Sequence, residues 1–258
     1  MGLMYDTTND RPINRNQLAM IPTPEGLGRF HHPYPFGTFV DDVESALDRV
    51  GIEIRSEEYA VTKDHQRMFG VLEIGSARPV EGELITADEW SLLMGLRGAH
   101  DQKVQRGLVI GSSVLVCSNL CFHGNVGNIH TKQTTNIGAR LPGLIRNAVE
   151  HIPQLAHRQE RVYDAYHNHD LRPRAGDAAL VEIYRRHGLS SAQLGRAIDE
   201  WHEPSYDKHA AEGFNVWRLM QATTQALKPT GANMNMETIA QRTGIATTFM
   251  DEVCGIDF

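Results

Sequence analysis

The sequence predicts an α+β protein, with a mostly antiparallel β-sheet of hairpins packed by helices and a helical C-terminal region behind it. Three observations predict this. Apolar residues alternate with polar ones after Ile52. The connections between the alternating runs are too short for the crossovers that parallel strands need. From Ile137 onward the apolar period changes to that of a helix.

Residues 1–37 are rich in Pro, Asn, Asp and Gly without a sustained period, and are read as an irregular N-terminal arm. "TFVDDVESALDRVG" predicts a helix capped by Thr38, with Val40, Val43, Leu47 and Val50 on one face and Gly51 ending it. Ile52, Ile54 and residues 59–61 face residues 68–74 across the polar turn "TKDHQR", a hairpin. Residues 77–83 form a loop, and "ITADEWSLLMGL" fits a short helix or a strand. "VQRGLVIG" and "SVLVCSNLCF" read as two strands joined tightly at Gly111-Ser112.

In the helical part, Leu141, Leu144, Ile145, Ala148 and Ile152 form a stripe, with Pro142 in the first turn and Pro153 as a kink. "YHNHDLRPRAG" interrupts the pattern. Helices follow over residues 177–187, over a segment opened by the Ser190/Gln193 capping box, and over "NVWRLMQATTQALK". The last carries Trp217, Met220, Thr224 and Leu227 on one face. "ETIAQRTGIATTFMDEV" has the outline of half a helix-turn-helix, and a packing helical hairpin explains it equally. The expected organisation is an arm over 1–37, an α+β core over 38–161 and a helical region over 162–258.

A chain of 258 residues with 41% hydrophobic and 22% charged residues has a globular composition. Three cysteines argue against a disulfide framework, and no leader or membrane-length apolar run is seen, so a cytoplasmic protein without a membrane partner is expected. The net charge of −7 is unevenly spread. Residues 41–96 hold 5 basic and 13 acidic residues, whereas residues 97–161 hold 8 basic and 3 acidic ones. The basic stretch also carries His100, His123, His130, His151 and His157. Such asymmetry suits a polyanion-binding face as well as ordinary surface variation.

"LRGAHDQKVQRGLVIGSSVLVCSNLCFHG" concentrates reactive residue types. A zinc site would use Cys117, Cys121, His123 and His130. Cysteines four apart in a strand stand roughly 13 Å apart, too far to share an ion. His100-Asp101 offers a catalytic dyad or a phosphate contact, but adjacent residues of an extended chain point opposite ways, and a plain turn explains the pair. "HNHD" at 167–170 and His31-His32 read as surface loops. No phosphate loop, dinucleotide fingerprint, "HExxH" or serine elbow is present. The expectation is a protein with no catalytic residues, no metal and no cofactor.

Taken together, "GAHD" at 98–101, "GLVIGSSVLVCSNLCF" at 107–122, "HT" at 130–131, "LPGLI" at 141–145 and "WRLMQATTQALK" at 217–228 resemble a family of phage, prophage and plasmid proteins. That family carries a domain of unknown function, number 932 in its series. The resemblance spans residues 40–228. Gly98 and Ala99 stand where the family shows Asn-Ser, and Cys121 is outside the family pattern. In outline the order of elements is also similar to phage single-strand annealing proteins of the RecT, Redβ and Erf kind.

Those resemblances imply a non-enzymatic, oligomeric protein that binds and anneals single-stranded DNA in phage recombination or replication. Its groove would lie on His100, Lys103, Arg106, His130, Lys132 and Arg140. Annealing needs phosphate neutralisation and a homo-oligomer, here expected to be larger than a dimer. The alternatives are a phage accessory module that binds a host protein, and a metal-assisted nuclease using His100, Asp101 and His130.

Overall fold

The computed structural model describes residues 10–76, 90–114, 119–121, 129–228 and 236–256. These carry seven strands: β1 (Asp10–Ile13), β2 (Ile52–Thr62), β3 (Arg67–Ser76), β4 (Trp90–Ala99), β5 (Arg106–Val114), β6 (Asn119–Cys121) and β7 (Ile129–Thr131). The same described residues carry nine helices: α1 (Arg15–Ala19), α2 (Phe36–Arg49), α3 (Ile137–Glu150), α4 (Ile152–Asn168), α5 (Pro173–Arg185), α6 (Ser191–His202), α7 (Asp207–Ala211), α8 (Val216–Leu227) and α9 (Met236–Cys254). The fold is α+β.

Strand order is β1-β2-β3-β4-β5-β6, with β7 also on β5. The pairs β1–β2, β2–β3, β3–β4, β5–β6 and β5–β7 are antiparallel. The chain divides into two compact units: residues 1–87, 91–111 and 125–155, and residues 88–90, 112–124 and 156–258.

In the first unit the β2–β3 hairpin forms where period-two alternation meets a turn rich in side-chain acceptors. Asp64 accepts from Thr62 Oγ1 and from the Gln66 amide, and His65 takes φ 56°. Along β3, Met68, Gly70, Leu72 and Ile74 are buried while Phe69, Val71 and Glu73 between them are only partly covered. On β4, residues 91–94 are all buried, as an interior strand requires. That burial on both faces is why the segment around it lacked a clear period. α2 packs on β2 and α3 through Phe36, Phe39, Val40, Val43 and Leu47.

Several expectations need correction. Within the supposed irregular arm, β1 pairs with β2, and α1 is closed by a capping box between Asn14 and Gln17. Arg15 fixes α1 by reaching Asp41 at 2.9 Å, Glu44 at 2.5 Å and Glu57 at 3.3 Å. Thr38 is not a cap: α2 starts at Phe36, because burying Phe36 and Phe39 lengthens its apolar stripe by a turn. Gly111-Ser112 is not a turn. β5 runs through to Val114, with Ser112, Ser113 and Val114 paired to β6.

Pro153 opens a helix rather than kinking one. α3 stops at Glu150, and Pro153 falls at the second position of α4, where its missing N–H is not needed. The loop read at 77–83 lies outside the described residues.

In the second unit α8 is the central helix, packed against α5, α6, α7, α9 and β6. It is therefore buried nearly all round, from Val216 to Thr224 and at Ala226 and Leu227, and not on one face as its stripe suggested. The Ser190/Gln193 capping box opens α6 as expected. α5 begins earlier than residue 177, with Pro173 in its first turn. α9 runs unbroken through Gly244, so it is neither a hairpin nor half of a helix-turn-helix. No helix among the described residues is long and apolar enough to cross a membrane.

Candidate anion-facing site

The residues singled out in the sequence meet where the ends of β4, β5 and β7 approach the segment leading into α2. Gln133, just after β7, organises this point. Its carbonyl accepts the His32 amide at 3.0 Å, and its Oε1 accepts the Tyr34 amide at 2.7 Å. Its Nε2 donates to the Ala99 carbonyl, and a bridge between His31 and Thr134 lies alongside. Residues 31–36 are thus strapped across the ends of β4 and β5.

Arg106, the first residue of β5, is buried completely beneath this strap. Nη2 donates to the Tyr34 carbonyl at 2.6 Å and to Gln133 Oε1 at 3.3 Å. The guanidinium carbon lies 4.7 Å from the Phe39 ring centroid, 5.5 Å from Tyr34 and 5.7 Å from Phe36. No carboxylate pairs with it among the described residues. Burial therefore pulls its pKa down to about 9, with the charges of Tyr34 and Asp42 opposing. Nε and Nη1 are buried and have no hydrogen-bond partner among the described residues.

His100 is buried beside it and stacks on Phe36 at a centroid distance of 4.0 Å and an interplanar angle of 3°. Its Nε2 donates to the same Tyr34 carbonyl at 3.2 Å, which leaves Nδ1 buried and without a partner among the described residues. Burial lowers its pKa, the Tyr34 bond opposes, and the nearby Arg106 charge lowers it further. The ring is held neutral.

Asp101 is turned away from His100. Its Oδ2 accepts Nε and Nη2 of Arg67 at 3.0 and 2.9 Å, and its Oδ1 accepts the Lys103 amide at 3.1 Å. Burial pushes its carboxyl up, but those bonds outweigh it and hold the pKa below the ordinary value. Asp101 thus bonds Arg67 and the Lys103 amide, and the His100 ring bonds Tyr34 through Nε2, with no hydrogen bond between the two side chains.

The structure brings some predicted residues together and separates others. His100 and Arg106 share one oxygen but are buried, so neither is presented to a ligand in this conformation. Lys103 is 70% exposed, Lys132 is exposed, and Arg140 is exposed while donating to Thr131 Oγ1 at 3.1 Å. The backbone of His130 pairs with Gly107, but its side chain lies outside the described residues, as do Cys117 and His123. No group of three metal-ligating side chains occurs among the described residues.

Sequence reasoning missed Tyr34, Phe36, Phe39 and Gln133. The only signal was the proline-flanked "PYPF", which marks a chain held extended before a helix. Fold and site together define an α+β protein with a buried arginine that no carboxylate pairs among the described residues. No family model, no curated protein and no solved structure matches the chain.

Proposed function

We propose that the protein binds single-stranded nucleic acid through its phosphates, without catalysing a reaction. The observation that supports this is the grouping of Lys103, Lys132 and Arg140. Lys103 precedes β5, Lys132 follows β7, and Arg140 reaches back to the end of β7. Because Arg106 pairs with Thr131 at that end, three exposed cations belong to one end of one strand pair. Between residues 97 and 140 Asp101 is the sole acid; it is bonded by Arg67 at 2.9 Å and lies 4.0 Å from the Lys103 ammonium, which stays 70% exposed. The phage-type annealing role and a homo-oligomer larger than a dimer rest on the motif resemblance and belong to the same proposal.

Oligonucleotide binding across a salt series tests it. Each phosphate neutralised on a single strand contributes about −0.7 to the log–log slope. Replacing Lys103, Lys132 and Arg140 together with Ala should flatten the slope by about 2 units. Absence of binding at low salt overturns the reading, and a species of 28.8 kDa alone in light scattering overturns its oligomeric part.

A second reading, a phage accessory module binding a host protein, draws on a different observation. Met20, Leu27 and Phe30 are 79%, 62% and 69% exposed within one short stretch. Apolar exposure of that kind suits a protein partner.

A further inference from the structure

We propose that Arg106 and His100 form a receiving site for a phosphate oxygen, kept shut in this structure by the Tyr34 carbonyl. The proposal deepens the nucleic-acid reading, and rests on it for the source of the phosphate. Three features of the cluster carry it.

The first is what the donors hold. A single oxygen, that of Tyr34, accepts both Arg106 Nη2 at 2.6 Å and His100 Nε2 at 3.2 Å. Two N–H groups converging on one oxygen, one of them cationic, is the arrangement that stabilises an oxyanion. A peptide carbonyl carries only a partial charge, so it fills the position without neutralising the guanidinium.

The second is what remains unfilled. The three aromatic rings approach Arg106 at distances that suit contact with the face of its guanidinium. Rings on that face do nothing for the in-plane N–H edge, where Nε and Nη1 stay unpartnered. An ordinary structural arginine fills that edge with carbonyls or carboxylates. A phosphate offers several oxygens to the fork, where the carbonyl offers one.

The third is how lightly the strap is fastened. Besides the two donors on the Tyr34 carbonyl, its anchors are the two bonds to Gln133, the bond from Tyr34 Oη to Asp42 Oδ2 at 2.6 Å, and the bridge at His31. His31 Nδ1 accepts the Leu27 amide, and the residues just before the strap include exposed Leu27 and Phe30. Segments with few buried contacts open at low cost. When residues 31–35 lift, with Phe36 staying buried in α2, Arg106 and His100 open toward the exposed Lys103 and Lys132.

Hydrogen exchange and calorimetry on the full chain test the proposal with three probes: inorganic phosphate, an oligothymidylate, and chloride at matched ionic strength. Tyr34→Phe is the informative variant. It removes the latch to Asp42 while keeping the ring and both donors. Phosphate should raise exchange at the Tyr34 amide relative to chloride, and Tyr34→Phe should bind phosphate about tenfold more tightly, because less opening is required.

Identical exchange in phosphate and chloride, for parent and variant alike, overturns the site. Phosphate binding without oligothymidylate binding keeps the site and removes the nucleic-acid reading. Oligothymidylate binding with the Tyr34 amide unchanged keeps that reading on the exposed lysines and removes the site.

Discussion

Two buried arginines, one in each unit, solve the same problem differently. Arg218 on α8 donates from Nε to the Trp201 carbonyl at 2.9 Å and from Nη2 to the His202 carbonyl at 3.1 Å. Its Nη1 reaches the carbonyls of Ala210 and Gly213 at 3.4 and 3.3 Å. Trp201 and His202 close α6, so these are carbonyls that a helix end leaves without intrahelical partners. Every nitrogen of Arg218 is used, and its charge sits at the negative end of a helix. Arg106 has one nitrogen bonded and two idle. The first arrangement is a clamp within the fold; the second leaves cationic donors in reserve.

The comparison is broken or sharpened first by removing each charge. Arg218→Met strips donors from four carbonyls, two of them at a helix end, and should cost about 3 kcal/mol or more. Arg106→Met leaves no acceptor bare, since Tyr34 O keeps His100 and Gln133 Oε1 keeps the Tyr34 amide. It also replaces an uncompensated buried charge with apolar volume, so stability should stay within about 1 kcal/mol of the parent. Urea unfolding of both variants measures the contrast. If Arg106→Met costs as much as Arg218→Met, Arg106 is a clamp too, and the ground for an oxyanion site disappears.

Acid should separate the two regions next. His31 and His100 are both held below the ordinary 6.5, burial being the first cause in each. A histidine kept neutral on folding contributes its full stability above pH 6.5 and loses it as pH falls below that value, by at most about 1.4 kcal/mol per pH unit. Around this pair the charged groups are Arg106, Asp101 and Asp42 (through Tyr34), with His32 beside His31.

In the helical unit Asp251 of α9 runs the other way. Burial raises its carboxyl to about 6, against opposing effects of the Tyr166 hydroxyl and of Arg158. A raised carboxyl contributes most below 3.8 and loses that contribution as pH rises through about 6. His209 in α7, lowered by burial, opposes this within the same unit. Between pH 7 and 5, exchange corrected for intrinsic rate should rise at the Tyr34 and Phe36 amides while α9 is held or tightened. Loosening of α9 ahead of the strap would show the assignment reversed.

Why one arginine was legible as a candidate and the other was not is a matter of range. The β2–β3 hairpin and the α6 cap were readable because a turn and a capping box are local, with both partners within a few residues. The burial of Arg106 depends on rings at 34, 36 and 39 and an amide at 133, so no window around "VQRGLVIG" contains the reason. For the same cause the stripe on α8 understated its burial, since its covering partners lie on four other helices and a strand. Gly111-Ser112 failed in the opposite direction. A good local turn dipeptide was overruled by pairing between β5 and β6. The cluster was found in sequence as a set of residue types, but not as a closed site.

The smallest expected effect concerns Asp101, and it tests whether the donors beneath the strap stand on their own. Arg67 and Asp101 are partly exposed, at 30% and 16% of their side-chain surfaces, so the pair is neither free in solvent nor fully desolvated. Asp101→Asn keeps an acceptor oxygen for the Lys103 amide, but sets an amide NH2 where the two Arg67 donors were accepted, and removes the charge. The loss should be about 1 kcal/mol, smaller in high salt. Because Asp101 makes no bond to the His100 ring, the imidazole should keep its place on Phe36 and the Tyr34 carbonyl. A His100 nuclear magnetic resonance titration in the Asn variant reads this directly. The pKa should move down only slightly, since Asp101 is the last of the influences on that ring. A drop of more than about one unit would mean that the carboxylate supports the imidazole after all. Arg106 would then no longer be the main charge acting on His100, and the contrast with the self-sufficient Arg218 clamp would weaken.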